Sequence, residues 1–142
     1  MIQQISYETK ELRNNYAQKK YCEESQSIYK DQKVVSHTID LELFTIMLNS
    51  SPRILYTQEI FNQIREVANH RDNLQIVYPE SNDEHQVILN SLMKKIRNGE
   101  KLTLSEKNRI SCQQKVLDKH GFKLPFNLLL KFRWFYSQFT TL

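Results

Sequence analysis

Two glycines and three prolines in 142 residues leave this chain few places to turn tightly, and that scarcity narrows its fold more than any other feature. Sandwiches, barrels and phosphate-cradling loops need backbone at positive φ or preset turns, which glycine and proline supply at least cost. With only Pro52, Pro79, Gly99, Gly121 and Pro125 as punctuation, the expectation is helices joined by few turns. The same scarcity removes the glycine-rich signatures of nucleotide binding. There is no G-x-G-x-x-G, no Walker loop and no G-x-S-x-G, and H-E-x-x-H is absent as well.

Apolar spacing places the helices. Behind Thr38 or Asp40 as cap, Leu41, Leu43, Phe44, Ile46, Met47 and Leu48 are apolar nearly all round, which predicts a short, central, buried helix stopped by Ser51-Pro52. Thr57 caps a third helix with a single apolar face of Ile60, Phe61, Ile64, Val67 and Ala68. Ser81 with Glu84 reads as a capping box that opens a stripe through Ile88, Leu89, Leu92, Met93 and Ile96 and ends near Gly99. Thr103 with Glu106 is a second box, whose helix runs past Ile110, Val116 and Leu117 to His120-Gly121, so residues 98–102 form a tight turn. Pro125 suits the first position of a last helix, in which nine of the fourteen residues from Phe126 to Phe139 are apolar.

Two segments read less sharply. Ser6 to Lys30 is polar and Tyr-rich with a partial helical stripe, so residues 1–32 are expected as a loosely attached N-terminal helix. Leu74 to Tyr78 has the β-branched and aromatic bias of extended chain, yet no second strand stands out to pair with it, and residues 74–78 are taken as an extended linker. The sum is one all-α domain over residues 1–142, a compact bundle of five or six helices without internal repeats.

Composition sets the class. With 39% hydrophobic and 25% charged residues the chain is too apolar for intrinsic disorder. The richest apolar stretch is interrupted by Asn127, Lys131, Arg133 and Ser137, short of the roughly 18 to 20 residues a membrane span needs. Residues 1–15 carry Glu8, Lys10, Glu11 and Arg13 and no secretory apolar core. Cys22 and Cys112 stand ninety positions apart with no ligand-spaced Cys or His beside them, which points away from a disulfide framework or zinc site. A cytoplasmic or otherwise intracellular, reducing location is the expectation.

Chemistry is sparse. His37, His70, His85 and His120 lie far apart near helix ends or on polar faces, and Glu80, Asp83, Glu84 and His85 read as first-turn acids serving the helix dipole. Cys112 reads as a small core or boundary residue. No catalytic residue, metal or cofactor is expected, although a site assembled in space would leave no motif.

Charge and aromatic content suggest partners. Residues 94–142 hold eleven Lys or Arg against three acids, a net of +8, whereas residues 1–93 hold nine against thirteen, a net of −4. Lys94, Lys95, Arg97, Lys101, Lys107 and Arg109 surround one helix turn and would grip phosphates if they converged. In the last helix Phe132, Phe135 and Phe139 are expected to point inward, with Lys131 and Tyr136 outward and Trp134 off the stripe. Arg133, Trp134 and Tyr136 are residue types that dominate protein interfaces. The first reading is therefore a non-enzymatic adaptor or regulator that binds another protein through helical faces. The second is a nucleic-acid-binding protein using residues 94–133. A homodimer and a membrane-surface helix stay open.

Overall fold

The computed structural model describes residues 7–12, 34–51, 57–77 and 79–140, and residues 1–6 and 13–32 of the expected N-terminal helix lie outside them. Six helices and a two-stranded ribbon make up the described chain: α1 (Thr9–Leu12), β1 (Val34–His37), α2 (Leu41–Asn49), α3 (Gln58–Ala68), β2 (Leu74–Val77), α4 (Pro79–Asn98), α5 (Leu104–His120) and α6 (Phe126–Thr140). Short 3-10 turns at Arg71–Asn73 and Gly121–Lys123 complete it. The mainly helical expectation holds.

The extended reading of 74–78 holds for Leu74–Val77, and its lack of a partner is corrected. Residues Leu74–Val77 pair antiparallel with Val34–His37, in register Val34 with Val77 and His37 with Leu74. Val34-Val35 is a β-branched doublet too short to show a period, so its pairing is a tertiary decision.

Capping chemistry explains the helix ends. Thr57 accepts the Ile60 N–H at 3.1 Å. Thr103 and Glu106 satisfy each other's backbone donors at 3.2 and 2.9 Å, the reciprocal box that their spacing implies. Ser81, read as a cap, lies inside α4, which already begins at Pro79, where a missing N–H costs nothing. Helix α6 starts at Phe126, one residue after the predicted proline, with the Leu129 N–H on the Pro125 carbonyl.

The two glycines serve different needs. Gly99 adopts φ +65 and the Glu100 N–H returns to the Lys95 carbonyl, a left-handed helix stop that other residues enter only with strain. Gly121 has ordinary φ, but a Cβ there would stand 2.8 Å from the Leu129 side chain and 3.0 Å from Leu117. Its role is close approach of α5 to α6.

Helices α2 and α6 meet at the centre, where Phe44 and Phe132 pack edge to face with centroids 5.1 Å apart. Helix α1 lies against α2 and α3. Asn49 clasps both the N–H and the carbonyl of Tyr7, Asn69 donates to the Leu12 carbonyl, and the Tyr7 and Leu12 side chains are buried. A third asparagine, Asn73, is fully buried and holds the Ile39 N–H, the Ile39 carbonyl and the Ala68 carbonyl. It welds the ribbon to the end of α3.

Candidate functional site

The outer face of α6 is the first feature that the fold leaves unused. At 3.6 residues per turn, positions 126, 130 and 134 advance by about 40° each and share one face with Arg133 and Ser137. All five are exposed, and Phe126, Leu130 and Trp134 keep 69%, 46% and 60% of their surface open. Phe122, in the 3-10 turn that precedes α6, is 74% exposed as well. From Gly121 to Leu142 the chain carries Lys123, Lys131 and Arg133 and no acid. Lys123 is ion-paired to Glu66 and Lys131 donates to the Ser50 carbonyl, so the face is an apolar stripe with Arg133 set in it.

The inward stripe holds as expected for Phe132, Phe135 and Phe139, and Trp134 and Arg133 are exposed as read. Tyr136 is the correction. It is 1% exposed, packed against Phe132 and Phe135, and its hydroxyl has no hydrogen-bond partner among the described residues. Position 136 lies only about 40° round the helix from 132, so an aromatic ring there falls inside the buried arc. Burial and the Asp40 charge push its phenol well above the usual range.

Lys95 is ion-paired to the buried Glu106, and Arg109 is half-buried. Lys94, Lys101 and Lys107 are exposed, and the Arg97 side chain lies outside the described residues, as do those of Glu80, Asp83 and His85.

Arg109 leads to a second feature. Thr38 and Gln75 from the ribbon region face Leu104, Ser105, Asn108, Arg109, Cys112 and Gln113 on one side of α5, enclosing a cleft of about 560 Å³. Cys112 is exposed on its wall, which corrects its placement in the core or boundary. Asp40 precedes α2 without capping it through its side chain. Burial pushes its carboxyl up to about 7, against the opposing pull of Arg109 and with a further push from Glu42. Because the folded state holds that proton more tightly than the unfolded chain, Asp40 contributes stability fully below its ordinary value of 3.8 and loses it as pH rises through about 7. Urea midpoints measured from pH 4 to 8 are expected to fall more steeply in the wild type than in Asp40→Asn; parallel curves would contradict this.

A third feature joins residues that are remote in sequence. His70 follows α3, Asp72 sits in the 3-10 turn, and His120 ends α5. The imidazole rings of His70 and His120 lie 3.9 Å apart, tilted by 34°. His120 Nε2 is 2.7 Å and Lys119 Nζ 3.0 Å from Asp72 Oδ2, while His70 Nδ1 accepts the Asp72 N–H at 3.1 Å. Hydrogen bonds from His120 and Lys119 hold the Asp72 carboxyl down at about 2. Burial and the neighbouring His120 lower His70, which keeps its ring neutral near pH 7.

The chain matches no family model, no curated protein and no solved structure. Whatever is inferred about function rests on these three features. Sequence reading set the four histidines apart as isolated, and a spacing of fifty residues between His70 and His120 carries no signal that could have joined them. The cleft was equally invisible, since Thr38 and Gln75 reach α5 only through the ribbon that spacing did not reveal. Among the described residues no helix is long and apolar enough to cross a membrane.

Proposed function

We propose that this chain is a non-enzymatic binding protein that docks an amphipathic, acidic-flanked helix of another intracellular protein on the outer face of α6. The observation that carries the reading is the row Phe126, Leu130 and Trp134, three large apolar side chains spaced by four along α6 and left in water. Spending apolar surface on solvent in a domain of this size is unfavourable, and a row of this kind marks an interaction surface. Trp134 beside Arg133 adds the two residue types richest in interface hot spots.

Charge selects the partner. Arg133 lies on the same face and the element carries no acid, while Lys123 is ion-paired to Glu66 and Lys131 donates to the Ser50 carbonyl, so an acidic flank facing Arg133 is complementary and speeds encounter. Pairing with a second copy would bring like charges together. Among the described residues of the phosphate-binding alternative, Lys94, Lys101 and Lys107 are exposed, and that reading predicts affinity that falls steeply with salt.

The test places a photo-crosslinking phenylalanine analogue at position 134 and sequences the adduct from native lysate. A crosslink to an acidic amphipathic segment, with affinity for that segment reduced about 30-fold or more by Trp134→Ala, is the expected result, since loss of a hot spot costs about 2 kcal/mol or more. A self-adduct, an adduct with lipid or nucleic acid, or affinity for the segment unchanged by the substitution would overturn it.

A further inference from the structure

We propose that His70, Asp72 and His120 bind one divalent transition-metal ion of the zinc class, tying the end of α3 to the end of α5. Two imidazoles and a carboxylate are a donor set suited to such ions. One ligand atom from each residue already lies within 4.8 Å of the other two. Around zinc, with bonds of about 2.0 to 2.2 Å, neighbouring donors stand roughly 3.3 Å apart. Side-chain rotations that move donor atoms by about an ångström or so therefore close the site.

The backbone that carries the donors is fixed. His70 N–H bonds to the Val67 carbonyl, Asn73 is locked into the core one residue after Asp72, and His120 is the last residue of a seventeen-residue helix. The C-terminal end of α5 presents partial negative charge, which favours a cation there. A cation is already drawn to this spot, since the Lys119 ammonium sits on the carboxylate oxygen that a metal would take.

Lys119 is the competitor. Its side chain is 70% exposed and free to swing into solvent, leaving Asp72 Oδ2 to the ion. His70 exchanges its hydrogen bond from the exposed Asp72 N–H for a coordinate bond, and water satisfies the released N–H. The proton now shared between His120 Nε2 and Asp72 moves to Nδ1 or to solvent. Three protein donors leave a remaining coordination position for water.

The inference is independent of the docking face on α6, and its test uses the full chain with zinc chloride and cobalt chloride. Calorimetry is expected to give one equivalent of zinc, with affinity at least tenfold weaker in His70→Ala and in His120→Ala. Lys119→Ala, which removes the competitor, is expected to bind more tightly. A Cys22→Ser, Cys112→Ser background should bind as well as the wild type. Cobalt should give visible d–d bands without a thiolate charge-transfer band, a readout on the unaltered chain that survives any misfolding of the variants. Absence of saturable zinc binding, affinity indifferent to both histidine substitutions, or a thiolate band would overturn the proposal.

Discussion

Asn73→Ala is expected to destabilise the fold by about 3 to 5 kcal/mol, a large share of the roughly 5 to 15 kcal/mol that holds a typical domain together. The side chain is fully buried, and its amide accepts from the Ile39 N–H at 2.7 Å while donating to the Ile39 and Ala68 carbonyls at 3.2 and 2.7 Å. Alanine leaves these three backbone groups without that partner, and each buried orphan costs about 1 to 3 kcal/mol. Partial relaxation keeps the total below the sum. With a urea slope of about 1 to 3 kcal/mol/M, the midpoint should drop by about 2 M. Asn73→Asp separates the contributions, because a carboxylate still accepts from Ile39 but turns lone pairs toward two carbonyls. It should be at least as damaging at pH 7. A midpoint shift under about 0.5 M for the alanine variant would mean that the ribbon does not depend on this residue.

That dependence explains what spacing could and could not tell. Helices α2, α3, α5 and α6 were legible because their signals are local: Thr57 and the Thr103–Glu106 pair lie beside the donors they satisfy, and Phe61, Ile64, Val67 and Ala68 repeat with the helix. The ribbon was not legible, since four-residue strands carry no usable period and β1 is separated from β2 by two helices. What holds it in place is Asn73, whose partners lie up to 34 positions away. A polar residue next to Asp72 reads as turn material in sequence, and only tertiary context makes it a buried weld.

The candidate sites divide the same way. The apolar, acid-free character of α6 is written along one helix, and Trp134 reads as a surface ring from its position off the Phe stripe, whereas the exposure of Phe126 and Leu130 beside it does not. Tyr136 was misplaced because aromatic rings just off a stripe can face either way, and here the neighbouring Phe132 and Phe135 enclose it. The His70, Asp72 and His120 cluster needed the fold outright: α5 must run its full length and α3 must end beside it before the two rings meet. Paired residues drawn together by such a long connection leave no trace in spacing.

Phe132 and Trp134 sit two residues apart on α6 and should respond oppositely to the same substitution. Phe132 is fully buried against Phe44 at a centroid distance of 5.1 Å, so Phe132→Ala removes a large ring from the centre of the α2–α6 contact and is expected to destabilise by about 3 to 5 kcal/mol. For a domain of about 140 residues that corresponds to a fall in Tm of roughly 10 °C or more. Trp134 is 60% exposed, and Trp134→Ala should leave Tm within about 2 °C, because substitutions on an open surface stay within about 0.5 kcal/mol. Thermal scans of both variants decide the matter in one experiment. A Trp134→Ala loss of stability comparable to that of Phe132→Ala would mean that the outer face of α6 is packed by the chain itself, and the docking surface would be gone. Stability retained by Trp134→Ala, with its partner segment released, separates the side of the helix that builds the domain from the side that is offered outward.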